Sequence, residues 1–169
     1  MENTKESNHL SWDDYFMNLA ILTAQRSKDP STKVGAVLVN ADKRIVGVGY
    51  NGFPNGCSDD EFPWEREGDF LDTKYAYVVH AEENAILNST TSLEGATIYV
   101  SLFPCNECAK KIIQSKVKEV VYLSDKYDGT PGNIASKRMF KATGVKTRKL
   151  ELQKEVKLMN RFFGSHESF

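Results

Sequence analysis

From residue 80 to residue 150 the sequence alternates between helical and strand patterning, and this alternation limits the possible folds more than any other feature. A helix is expected from about His80 to Leu87, a strand at "ATIYVS", a helix from about Cys105 to Ser115 and a strand at "EVVYLS". A further helix over about 133–143 and a short strand at "VKTRKL" complete the run. Strands separated by helices of this length pair in parallel, because each helical crossover returns the chain to run in the same direction. Upstream, "KVGAVLVN" and "RIVGVGYN" are rich in Val and Ile and joined by the short turn "ADK", which reads as an antiparallel hairpin. Residues 11–27 open on a Ser N-cap candidate and carry Trp12, Tyr15, Phe16, Leu19, Ala20 and Leu22 at helical spacing, so a first helix should dock on the sheet. The expected fold class is α/β: a three-layer α/β/α arrangement with a mixed sheet of about five strands and helices on both faces.

A chain of 169 residues with 40% hydrophobic content can bury one core, so residues 1–169 are read as a single domain. Residues 51–75 mix Gly, Pro, Asn, Asp and aromatics without periodicity and form a loop insertion. Residues 155–169 are read as a helical or frayed tail. Lys and Arg number 22 against 23 Asp and Glu, which leaves no general basic field for a nucleic acid partner. The N-terminus lacks the apolar core of a signal peptide and the Arg-rich character of a transit peptide, and no apolar run approaches a membrane span. A cytoplasmic protein with no membrane partner is expected.

The chemistry concentrates at two successive helix starts. "PCNEC" at 104–108 places Cys105 and Cys108 three residues apart, a spacing open to a disulfide, a redox pair or a metal site. A reducing cytosol argues against the disulfide. At a helix N-terminus, residues i and i+3 share a face, so both sulfurs can occupy corners of a tetrahedron, and the partial positive charge there favours thiolates. His80, at the start of the preceding helix, supplies a third ligand, and a redox motif has no need of it. Three protein ligands leave one position on zinc for water, the arrangement of a catalytic rather than a structural site. Glu82, two residues after the histidine, is placed to act as general base and then general acid. Taken singly, His80 reads as an ordinary buried histidine and Glu82 as a carboxylate favoured by the helix dipole; together with the cysteines they read as a site. Cys57 remains a candidate fourth ligand that would close the zinc to water. "GVGYNG" at 47–52 matches Gly-x-Gly-x-x-Gly, but "FPNGCSDD" cannot begin the helix that a dinucleotide fingerprint requires. Asn51-Gly52 and Asn55-Gly56 read as turn pairs, with a sugar contact as the alternative for Asn51.

His-x-Glu followed by Pro-Cys-x-x-Cys is the known signature of zinc deaminases. The sequence resembles the cytidine deaminase-like zinc deaminases and, within them, the deoxycytidylate (dCMP) deaminases. "RSKDPSTKVGAVLV", "GYNGFPNGCSDDEFPW", "LDTKYAYVVHAEENAI", "LFPCNECAKKIIQ" and "VVYLSDKY" carry the resemblance in order, and residues after about 150 do not. The resemblance implies one Zn2+ per chain on His80, Cys105 and Cys108, with Glu82 as proton shuttle and Cys57 uninvolved. It implies hydrolysis of dCMP to dUMP and ammonia, with dUMP supplied for thymidylate synthesis. Asn51, Ala81 and Tyr127 are implied as substrate contacts, and Asn55, Gly56 and Asp59 as effector contacts. A homo-oligomer, with a hexamer favoured, activated by dCTP and inhibited by dTTP, is also implied. The phosphate contacts are not readable in this way; Ser31, Lys33 and Lys126 are candidates. Between Asp59 and Asp72 seven acidic residues stand against one Arg. Most read as a solvated loop, but a triphosphate bound there would need Mg2+ as a bridge. The alternatives are a relative acting on free cytidine or on a tRNA adenosine, and a zinc-stabilised regulatory module without turnover.

Overall fold

The computed structural model describes residues 9–157. Helix α1 (Trp12–Ala24) starts on Ser11, whose hydroxyl accepts a hydrogen bond from the amide of Asp14 at 3.0 Å. Asp13 and Asp14 in its first turn favour the positive end of the helix. It ends three residues short of the expected boundary. Phe16, Met17 and Ala20 are fully buried, while Trp12 and Leu22 of the expected apolar face are exposed.

Strands β1 (Gly35–Val39) and β2 (Ile45–Tyr50) form the expected antiparallel hairpin. Helix α2 (Ala81–Leu87), strand β3 (Thr97–Leu102), helix α3 (Asn106–Gln114), strand β4 (Glu119–Ser124), helix α4 (Pro131–Thr143) and strand β5 (Lys146–Lys149) follow. The five strands lie in the order β2-β1-β3-β4-β5. β1 is antiparallel to both its neighbours, and β3, β4 and β5 are parallel, so the sheet is mixed as expected. Alternation along β1 divides the core. Ala36 and Leu38 face α2, α3 and α4 through Ala81, Ala85, Ile112 and Phe140, whereas Val37 and Val39 face α1.

Three helix starts differ from expectation for local reasons. His80 and Cys105 do not open the helical turns of α2 and α3 but stand before them as N-cap residues, with extended backbone at ψ 158 and 173. Helix α4 starts two residues early, because Thr130 caps it and Pro131, preset for helical φ, occupies its first turn. Between β2 and α2 the chain forms neither α-helix nor a full strand, and it carries two short 3₁₀ turns at Phe70–Asp72 and Lys74–Ala76. The insertion has an aromatic core of its own, in which Phe53 lies 4.1 Å from Trp64 and 5.7 Å from Phe62, centroid to centroid.

The chain after β5 crosses back over α1. Leu150 and Leu152 pack beneath that helix, and the Asn18 side chain bonds the backbone of Lys154 and Val156. Residues 155–157 are not helical, and the remainder of the expected tail lies outside the described residues. No helix among the described residues is long and apolar enough to cross a membrane.

Candidate active site

Helices α2 and α3 lie side by side on one face of the sheet, so their N-cap positions meet. Nδ1 of His80 lies 3.4 Å from Sγ of Cys105 and 3.4 Å from Sγ of Cys108. All three donor atoms fall within 4.8 Å of one another, and among the described residues no other such cluster of His, Cys, Asp or Glu occurs. Zinc bound at about 2.3 Å to sulfur and about 2.0 Å to nitrogen in a tetrahedron needs an S···N separation of roughly 3.5 Å. The donor spacing therefore fits zinc, as does its soft, nitrogen-and-sulfur chemistry. Cys57 is not among the donors.

Protons show the same fit. The Cys105 thiol is pulled down to about 4 by its hydrogen bond with Cys108 and by His80. The Cys108 thiol is pushed far up, chiefly by that same contact and by burial. His80 rises to about 8, mainly through its hydrogen bond with Cys105 and against the effect of burial. Three donors compete for protons that a dication would displace.

Glu82 sits beside the triad and is 4% exposed. Burial raises its carboxyl pKa and the neighbouring His80 only partly offsets this, so the group is suited to gain and lose a proton.

Helix α2 is held by strand β2, and this accounts for the first two glycines of "GVGYNG", Gly47 and Gly49. A Cβ on Gly49 would stand 2.2 Å from the Ala85 nitrogen and 2.3 Å from the Ala81 oxygen, and one on Gly47 would stand 2.4 Å from the Ala85 oxygen. The two glycines bring the helix backbone onto the strand. Side chains then fasten it: Asn84 donates to the carbonyl of Tyr50 and Asn88 to that of Val48. One helical turn and two strand residues each span about 6 Å, so amides at i and i+4 match carbonyls at i and i+2.

His80, Cys105 and Glu82 line a cavity of about 270 Å³. Asn51, Ala81 and Tyr127, all expected near substrate, line it. Asn51-Gly52 is not a turn. The Asn51 side chain is buried, with Oδ1 accepting from the amide of Val34 and Nδ2 donating to Asp29 and to the carbonyl of Thr32. Gly52 pairs with Val79 in an isolated bridge. Asn55-Gly56 is a turn, with Gly56 at φ 92. Asn55, Gly56 and Asp59 do not line the cavity, and Asp59 pairs with Lys28. Ser31 and Lys33 do not line it either. Lys126 adjoins it, with Nζ 3.2 Å from the Thr32 hydroxyl and 4.9 Å from the centre of the Tyr127 ring.

Sequence reasoning missed the opposite wall. Asp29 and Lys74, 2% and 6% exposed, form an ion pair of 2.5 Å inside it. The other oxygen of Asp29 accepts the amides of Ser31 and Thr32. These contacts hold the Asp29 carboxyl below its usual range despite its burial. The turn made by "DPST" was a readable signal for part of this, since Asp commonly accepts from amides two and three residues on. Arg66 also lines the cavity.

The fold and the donor triad define a class, that of zinc-dependent nucleobase deaminases. The chain belongs to the cytidine and deoxycytidylate deaminase family, whose zinc-binding region model matches residues 10–124. A deoxycytidylate deaminase of Mus musculus is 55% identical over 147 residues, covering 86% of this chain and 83% of the mouse protein. A probable deoxycytidylate deaminase of Drosophila melanogaster is 54% identical over 162 residues, covering 92% and 80%. The dCMP deaminase of cyanophage S-TIM5, solved in complex with dCMP and dUMP, superposes with a TM-score of 0.68. It shares 28% identity, over 84% of this chain and all of the phage chain.

Proposed function

We propose that this protein hydrolyses dCMP to dUMP and ammonia. The observation that carries the reading is the buried Glu82 carboxyl lining one cavity with His80 and Cys105, two members of the donor triad that Cys108 completes; family membership and the names of the relatives support the choice of nucleotide. Zinc held by the triad would supply the Lewis acidity that makes water nucleophilic near neutral pH. Water adds at C4 of the cytosine, and Glu82 moves one of its protons to N3. Glu82 then delivers the second proton to the 4-amino group, the C4–N bond breaks, and ammonia leaves as the C4 carbonyl forms. Ala81 and Tyr127 line the space that the base and sugar would occupy. Asn51, whose amide is already bonded to the protein, shapes that space through its neighbours.

Parallel assays on dCMP, dCTP, cytidine and a tRNA test the reading. Preferential turnover of dCMP is expected, and preference for the nucleoside or the tRNA overturns it. The cobalt-substituted protein should have the spectrum of three protein ligands plus water. A closed four-ligand shell would instead favour a regulatory module without turnover.

The reading extends to a cytoplasmic homo-oligomer, a hexamer by family resemblance, activated by dCTP and inhibited by dTTP. The acidic insertion around Asn55, Gly56 and Asp59 would take an effector triphosphate with Mg2+ as the bridge. Equal dCTP activation with Mg2+ and with excess chelator would exclude that bridge.

A further inference from the structure

The cavity is lined by two permanently cationic side chains, and they differ in how their charge is used. Lys74 is buried and spent on Asp29. Arg66 is exposed, and among the described residues it forms no ion pair at all, although its own stretch from Asp59 to Asp72 carries seven carboxylates. Its one hydrogen bond runs from Nε to the hydroxyl of Tyr75 at 3.3 Å, and Tyr75 lines the same cavity. That bond fixes the inner nitrogen and leaves both terminal nitrogens of the guanidinium unbonded.

A cation that avoids nearby carboxylates and instead faces a cavity is suited to an anion that arrives from solution. We infer that Arg66, oriented by Tyr75, receives the phosphate of the nucleotide and makes the site selective for a nucleoside monophosphate over the free nucleoside. This rests on the function proposed above. The guanidinium ends match two phosphate oxygens in a bidentate pair, which a lysine cannot reproduce. Lys126, behind Thr32 and Tyr127, adds positive charge to the same side of the cavity. Tyr127 registers that field: burial would raise its hydroxyl, yet the bonds with Thr32 and Lys126 and the charges of Lys126 and Arg66 hold it below its ordinary value.

The test compares wild type, Arg66→Ala and Arg66→Lys as zinc-loaded full-length proteins. Calorimetry measures the affinity for dUMP, steady-state kinetics measures turnover of dCMP, and zinc content and Tm serve as checks of the fold. Loss of one charge-assisted pair should weaken dUMP binding by roughly ten- to a hundredfold in Arg66→Ala, with zinc and Tm unchanged. KM for dCMP should rise by a similar factor at constant kcat, as expected for uniform binding. Arg66→Lys should fall between the two. Unchanged dUMP affinity in Arg66→Ala overturns the assignment, and so does a loss of zinc or Tm that accompanies weaker binding. A wild type that binds dUMP through Arg66 but leaves dCMP intact removes the proposed reaction and keeps the phosphate contact.

Discussion

The two walls of the cavity are built in opposite ways. The metal wall is made by the N-cap and first-turn residues of two regular helices, which the sheet holds together, and its chemistry lies in two short sequence segments. The ion-pair wall is made by irregular backbone. Asp29 and Lys74 lie 45 residues apart, one in the turn before β1 and the other at the end of the insertion. On the function proposed above the metal wall would carry the reactivity, whereas the ion-pair wall gives the insertion a fixed seat. The same cavity thus depends on two kinds of interaction that should fail differently.

The largest effect should come from the metal wall. Glu82→Gln keeps the shape and removes the proton carrier, so kcat should fall by about 10²- to 10⁴-fold, the usual worth of a positioned acid–base group. Zinc content and Tm should stay at wild-type values. Cys108→Ser should lose zinc as well as turnover, because a hydroxyl is a poor replacement for a buried thiolate. Turnover near wild type in zinc-loaded Glu82→Gln would contradict the role assigned to the carboxyl.

The ion-pair wall should break through stability. Asp29→Ala leaves the Lys74 ammonium buried without its partner and frees the amides of Ser31 and Thr32, at a cost of about 3–5 kcal/mol by denaturant unfolding. Asp29→Asn combined with Lys74→Met removes both charges and should recover most of that loss, since the penalty belongs to the unpaired charge. A double variant as unstable as Asp29→Ala would mean that the pair itself, rather than its desolvation, holds the wall.

This contrast explains what could be read in advance. The meeting of His80, Glu82, Cys105 and Cys108 in space was legible because helical spacing converts short sequence intervals into a shared face, and because the strand and helix order brings adjacent crossovers together. The five strands and their mixed pairing were legible for the same reason. Asp29, Lys74 and Arg66 were not, since loop backbone has no period and an ion pair across 45 residues leaves no local trace. The glycines at 47 and 49 fell between these cases. Their pattern excluded a dinucleotide site, but only the packing of α2 on β2 shows what they are for. The N-cap placement of His80 and Cys105 was missed by a single residue, because neither is a usual capping residue and neither side chain makes a capping hydrogen bond.

Gly49→Ala joins the two kinds of failure at a smaller scale. The added methyl would meet backbone atoms of α2 at 2.2 and 2.3 Å, and backbone cannot turn aside as a side chain can. The helix must shift, with a cost of about 1–3 kcal/mol typical of overpacking. Because His80 and Glu82 ride on the start of that helix, zinc affinity should fall together with Tm. The Asp29–Lys74 wall, held by different elements, should be less affected. A Gly49→Ala protein with lowered Tm but unaltered zinc affinity would show that α2 shifts as a unit without disturbing the triad.

Acid should produce the mildest break and single out the ion-pair wall. Burial alone would raise the Asp29 carboxyl, but the hydrogen bonds from Lys74, Ser31 and Thr32 hold it below its ordinary value of 3.8. The unfolded chain therefore takes up this proton more readily than the folded one. The contribution of the pair is complete above that ordinary value and is lost as pH falls through the lower folded value. The loss should be smaller than that from Asp29→Ala, because a protonated carboxyl keeps its shape and its carbonyl oxygen can still accept a bond. Acid also protonates the metal donors, so the useful quantity is the difference in unfolding free energy between wild type and the Asp29→Asn, Lys74→Met double variant. That difference should hold steady from pH 6 to about pH 4 and shift against wild type below it. A difference that changes instead between pH 6 and 5 would assign the titration to groups other than Asp29.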